Sequence, residues 1–153
     1  MLEKDAATTF HLQADFYRQY LNQVLKFDFP AITKEAAVAY LKKVVGRAIR
    51  KLTTENDVIA LISVIGELVK AEVGGQWFMI DRISFDEPYH TVYEPAIRTA
   101  QDTVYFIGTE IFGMVKWKVT TLENIFVSAH SYLTVPINWS SFAKRRPGLL
   151  LLE

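Results

Sequence analysis

The chain has 153 residues, half of them apolar, with ten Phe, seven Tyr and three Trp, seventeen basic against seventeen acidic side chains, and no cysteine. That length holds one core of ordinary size, and that apolar content offsets the entropy of ordering, so a single folded domain over 1–153 is expected and disorder is not. Zero net charge offers no field for nucleic acid or anionic lipid, and the missing cysteines exclude disulfides, thiolate metal sites and cysteine nucleophiles.

The opening stretch, MLEKDAATTFHLQADF, is acidic early and has no apolar core of signal-peptide length. No apolar run approaches the roughly 18 residues of a membrane span. A cytoplasmic protein without membrane contact is the expectation.

Thr8 or Thr9 can cap a first helix running to about Lys26, with Phe10, Ala14, Tyr17, Leu21, Val24 and Leu25 on its inner face. Pro30 disfavours helix at Phe29 and ends it. Thr33 caps a second helix over 34–52, whose inner face is Val38, Leu41, Val44, Val45, Ala48, Ile49 and Leu52. Thr54 then caps a third, with Asp57 three residues on to complete the cap and Glu55 adding charge against the helix dipole. Val58, Leu61, Ile62, Ile65, Leu68, Val69 and Val73 build a broad apolar stripe, and Gly74 with Gly75 supplies the positive-φ residue that a helix end favours. Short connections between the three predict an antiparallel helical layer.

Trp77 opens a strand. Residues 76–83 and 91–99 both read as strands, separated by a polar loop over 84–90, and Pro95 argues for an edge or a break in the second. Ala100, Gln101 and Asp102 form a polar turn before a third strand over 103–107. Over 108–119 helix and strand compete because apolar residues cluster without a clear period, and the reading leans to a helix or broken helix. Thr121 caps a helix over 122–133, which Pro136 stops. The terminal LLLLE reads as a strand or tail packed on the core or on a partner. The architecture expected is α+β: a three-helix N-terminal layer, a small, mainly antiparallel sheet, and one or two C-terminal helices.

Chemistry is poorly signalled. The densest polar cluster is Asp81, Arg82, Asp86, Glu87, His90 and Glu94. Carboxylates beside a histidine are what acid–base work or a hard-metal site needs, and a small-ligand binder or hydrolase-type enzyme over 81–94 would bring Asp86, Glu87 and His90 to one pocket. The spacing matches no metal motif, and a solvated loop between strands explains the same residues. No nucleophile elbow surrounds Ser63 or Ser128. Gly74 and Gly75 follow a helix, whereas a phosphate cradle precedes one, so a helix stop is the better reading. Lys43, Arg47 and Arg50 form a basic stripe at helical spacing, with a second patch at Lys144, Arg145 and Arg146. Such a stripe can meet phosphates, but a neutral chain disfavours nucleic acid, and a solvated helix face or an acidic protein partner accounts for it too. No cofactor and no metal ligand set is expected.

From Gly66 to Thr99, the run GELVKAEVGGQW entering a strand and followed by EPAIRT resembles a loose group of small, uncharacterised bacterial α+β domains, some of them similar to toxin-immunity proteins. The resemblance implies a non-enzymatic protein-binding module and carries no catalytic residues. With the abundant aromatics, of which those facing outward together with Trp117 and Trp139 could form a partner surface, it points to a protein partner or a second copy of the chain, the apolar tail being the segment suspected of homodimerisation. Trp77 is read as the residue that docks the sheet on the helical layer.

Overall fold

A computed structural model describes residues 1–26, 50–84, 87–99, 103–134 and 150–151, together with Glu35 and Ala39. The fold is α+β. Its elements are α1 (Lys4–Thr9), a 3₁₀ turn (Phe10–Leu12), α2 (Ala14–Leu25), α3 (Glu55–Val73), β1 (Gln76–Ile83), β2 (Thr91–Arg98), β3 (Val104–Tyr105), α4 (Ile107–Lys116), α5 (Leu122–Thr134) and β4 (Leu150–Leu151). The four strands form one antiparallel sheet in the order β3-β2-β1-β4.

The N-terminal helix differs from the sequence expectation. It is two helices with a tight turn between them, because the Thr8 and Thr9 hydroxyls bond back to the Asp5 carbonyl oxygen inside α1 and so cap nothing downstream. Gln13 precedes α2 without a side-chain cap bond. Lys26 closes α2 in the left-handed conformation, its N–H reaching the Asn22 carbonyl. The expected second helix, 34–52, lies outside the described residues except for Glu35, Ala39, the exposed helical Arg50 and Lys51, and the buried Leu52.

Helix α3 begins as its residues dictate. Thr54 Oγ1 accepts from the Asp57 N–H at 3.2 Å, and Asp57 Oδ2 accepts from the Thr54 N–H at 2.8 Å, a complete capping box. The helix is buried on most sides in its first three turns, consistent with a central position. Gly74 and Gly75 adopt φ of 78° and 112°, and a side chain on Gly75 would meet the Arg98 carbonyl oxygen at 2.9 Å. The chain therefore turns off the helix and straight into the sheet.

The main core lies between the helices and the sheet face carrying Trp77, Met79 and Ile97. Phe78, Ile80, Ala96 and Val104, at the alternate positions, form a smaller cluster with Phe106 on the opposite face. Trp77 is 1% exposed and sits edge-on to Phe10, with ring centroids 4.8 Å apart. Its six-membered ring occupies the space over Gly66, where a Cβ would fall 1.9 Å from Cη2, so Gly66 is what lets α3 approach the strand.

Pro95 does not mark an edge strand. β2 lies inside the sheet, between β1 and β3. Tyr93 turns its N–H and carbonyl away from β1, to Leu2, and strand alternation gives Pro95 the same direction. The missing donor thus faces the stretch of β2 edge between Leu2 and β3, where α4 begins and no ladder bond is lost. The third strand is shorter than expected, since Ile107 already opens α4, and the segment over 108–119 is helical to Lys116. Asn124 N–H bonds to Thr121 Oγ1 at the start of α5. Leu150 and Leu151 pair with Met79 and Phe78 of the same chain; the rest of the terminal run lies outside the described residues. The expected turn at Ala100, Gln101 and Asp102, the stop at Pro136, Trp139 and the patch at Lys144, Arg145 and Arg146 lie outside the described residues.

Candidate functional site

Glu94 is the centre of the candidate site. It lies on β2 opposite Ile80, only 5% exposed, and is turned towards the start of α4. Arg82, on the neighbouring strand, donates Nε to Glu94 Oε2 at 2.9 Å, and the Thr109 hydroxyl donates to Oε1. Gly108 makes this approach possible, because a Cβ there would come within 2.8 Å of the Pro95 carbonyl oxygen and 2.7 Å of Glu94 Cγ. The carboxylate lies against the first turn of α4, where the helix dipole favours negative charge.

Two cavities meet at Glu94. One is an apolar pocket of about 340 Å³ between Val58, Ile59 and Ile62 of α3, Pro95 of β2, Phe112 of α4, and Trp117 just beyond it. The other is a mixed cleft of about 890 Å³ at the end of the β1–β2 hairpin, where Glu3, Asp81, Arg82 and His90 stand beside Ile83 and Val92. Met1, Glu55, Glu94, Thr109 and Phe112 line both, so the pocket opens into the cleft. Trp117 stands at the rim, 67% exposed, its ring edge-on to Phe112 with centroids 5.8 Å apart. Val119, two residues on, is exposed as well.

The polar cluster is only partly assembled. Asp81, His90 and Glu94 line the cleft. Glu87 is exposed and contributes nothing to its wall, and Asp86 lies outside the described residues. Of the three residues expected to converge, Asp86, Glu87 and His90, only His90 is seen at the cleft. His90 is exposed, with Nδ1 3.0 Å from the Pro88 carbonyl oxygen and Nε2 2.9 Å from Glu3 Oε1. Asp81 Oδ1 is buried without a hydrogen-bond partner. Among the described residues no three His, Asp or Glu side chains converge as a metal site, and no helix is long and apolar enough to cross a membrane. Of the basic stripe only Arg50 is described; Lys43 and Arg47 lie outside.

The sequence places Glu94 in a six-residue polar cluster and gives no sign of Thr109 or Phe112 beside it. That α4 folds back over Pro95 is not legible there, since it depends on the direction taken after β3.

The other buried carboxylate belongs to the fold. Asp57, 3% exposed, is held by the Thr53 and Thr54 N–H groups and by the Tyr20 hydroxyl at 2.9 Å. Burial alone would raise its pKa, but these hydrogen bonds together outweigh it and hold the carboxyl below the ordinary range. The same bond raises the Tyr20 pKa, because ionisation would remove the proton it donates to Asp57.

No family model matches this chain, and no curated protein or solved structure matches it.

Proposed function

We propose that this chain is a non-enzymatic binding module, immunity-like in holding a protein partner, and that the partner docks at the rim of the α3–β2–α4 pocket. The observation that carries this reading is Trp117, a large apolar side chain left in solvent beside an apolar pocket. The resemblance of the segment from Gly66 to Thr99 to immunity-like accessory domains supports the same reading. Catalysis is less well supported: both Glu94 oxygens already accept hydrogen bonds, and His90 is tied to Glu3 and Pro88. A cytoplasmic setting goes with it.

The test is co-expression with the product of the neighbouring gene, followed by native mass spectrometry. A one-to-one complex is expected, weakened roughly tenfold or more by Trp117→Ala, the loss typical of an interface anchor. A chain that neither captures that product nor self-associates at high concentration overturns the reading. A homodimer weakened by the same substitution would make a second copy the partner.

A second reading, small-ligand binding, is favoured by a separate observation: the pocket is an apolar space ending on one buried carboxylate. Its volume is at the small end of ligand sites, which span roughly 300–1,000 Å³.

A further inference from the structure

We propose that the turn leaving α4, Lys116 to Val119, docks on an acidic protein surface that carries an apolar recess. Binding at this rim is the protein-partner reading above, on which the sign of the partner's charge rests.

The turn holds its side chains out in a fixed arrangement. Lys116, Trp117, Lys118 and Val119 are all exposed, Trp117 at 67% and Val119 at 73%. Two backbone bonds fold the segment back on the helix it leaves. The Trp117 N–H donates to the Gly113 carbonyl oxygen at 3.0 Å, and the Val119 N–H donates to the same oxygen at 3.4 Å. Lys118 makes the reversal in the left-handed region, at φ 55°. Gly113 leaves room for it, since a Cβ there would lie 3.1 Å from Val119 Cγ2 and 4.0 Å from Trp117 Cε3. The indole and the valine side chain therefore lie together over Gly113, an apolar patch beside the pocket that Trp117 lines.

Charge then selects among partners. Lys116 and Lys118 flank the indole, and among the described residues neither has an ion-pair partner. Lys116 has a reason within the fold. It stands in the last turn of α4, where a cation complements the helix dipole, and its Nζ lies 5.8 Å from the Phe112 ring centroid. Lys118 has no such reason: it occupies a backbone conformation that glycine adopts without penalty, and among the described residues its ammonium makes no hydrogen bond, ion pair or ring contact. A surface that covers Trp117 meets both charges, so carboxylates around the recess are their complement. Two lysines on a neutral chain are too few for a polyanion or a membrane. Nucleic acid is held by several phosphate contacts, and an anionic leaflet by clusters of roughly 4–8 basic residues.

The experiment uses three blocked peptides that share their leucine and phenylalanine positions and carry glutamate, glutamine or lysine between them. Each is titrated into the full chain and followed by amide chemical shifts, which should cluster on residues 113–119. The glutamate peptide is expected to bind about fivefold more tightly than the glutamine peptide, the combined effect of two exposed ion pairs, and the lysine peptide least tightly. Raising the ionic strength from about 0.01 M to about 1 M shortens the screening length from roughly 30 Å to roughly 3 Å and should erase the preference. Lys118→Glu should abolish it, because the two charges of the turn then cancel. Lys118→Gly should reduce it to about twofold without loss of stability, glycine being the residue this φ favours. Trp117→Ala should weaken the glutamate and glutamine peptides alike.

Equal binding of the glutamate and glutamine peptides, or a glutamate preference that survives Lys118→Glu or high salt, overturns the acidic partner and leaves a protein partner at Trp117 standing. Co-sedimentation with phosphatidylserine vesicles that is lost in Trp117→Ala also overturns it, making the occupant an anionic membrane. Failure of all three peptides to shift residues 113–119 removes the inference, while the protein-partner reading itself is judged by the co-expression test.

Discussion

Asp57 and Glu94 are both buried carboxylates on elements of the same core, yet their surroundings differ in kind. Asp57 is enclosed by two backbone N–H groups and the Tyr20 hydroxyl, and every one of these donors comes from the segments it joins, α2 and the start of α3. Glu94 is held by one guanidinium and one hydroxyl, and beyond them lie a pocket and a cleft. The two tryptophans repeat the contrast. Trp77 fills the space over Gly66 and donates Nε1–H to Glu67 at 2.6 Å, whereas Trp117 stands in solvent beside unfilled space. A carboxylate or ring whose surroundings are complete specifies the fold; one whose surroundings are incomplete is available to a ligand.

If that contrast holds, substitutions at the closed end cost stability and those at the open end cost binding. The largest effect is expected at Trp77. Trp77→Ala removes a ring packed against Phe10 and α3, and should lower unfolding stability by about 3–5 kcal/mol in a denaturant titration. A loss below about 1 kcal/mol would place Trp77 outside the core and erase the distinction between the two tryptophans.

Next in size is Asp57. Asp57→Ala leaves the Thr53, Thr54 and Tyr20 donors without their acceptor and removes half of the capping box, a loss of about 2–3 kcal/mol near neutral pH. The pH dependence has a definite sign. The folded-state pKa of Asp57 lies below its unfolded value, so the unfolded chain binds more protons through the acid range and stability rises with pH there. The contribution is complete above the ordinary carboxylate range and is lost as pH falls through the folded pKa. Asp57→Asn should therefore flatten the acid limb of stability against pH, and an acid limb identical to that of the parent chain would contradict the assignment.

How much of this was legible in the residues depends on the range of the contacts. Thr54, Asp57 and the double glycine act within one turn of chain, and their roles could be read directly from spacing. Trp77 as the docking residue followed from its place at a helix-to-strand junction. Thr8 and Thr9 misled because a threonine hydroxyl can cap forward or bond back to the preceding turn, and sequence does not distinguish the two. Pro95 misled for a related reason: proline excludes a ladder bond on one side of a strand only, so a gap in the neighbouring strand serves as well as an edge. The pocket is the least local feature. It needs α3, β2 and α4 together, and Asp86 and Glu87 were grouped with Glu94 by proximity in sequence, while Glu87 lies outside the cleft.

At the open end Glu94→Gln keeps the shape but can turn an amide nitrogen towards Arg82 Nε, replacing an ionic hydrogen bond by two facing donors. Arg82 is partly exposed and can turn to water, so the stability loss should be about 1–2 kcal/mol, less than at Asp57. A loss exceeding that of Asp57→Ala would show that Glu94 holds the fold as firmly as Asp57 does.

Trp117 gives the smallest expected change in stability and the sharpest separation. Its ring sits edge-on to Phe112 at the pocket rim and is 67% exposed, so truncation to alanine removes little buried surface and should shift stability by no more than about 0.5 kcal/mol. The indole is retained in solvent at a cost that packing does not repay, and a partner that covers it would recover about 25 cal/mol for each Å² removed from water. A protein whose thermal unfolding is unchanged by Trp117→Ala, but whose complex is weakened tenfold, places that ring in an interface. Thermal unfolding lowered as far as in Trp77→Ala would instead make Trp117 a second core tryptophan, and the pocket beside it a packing defect rather than a site.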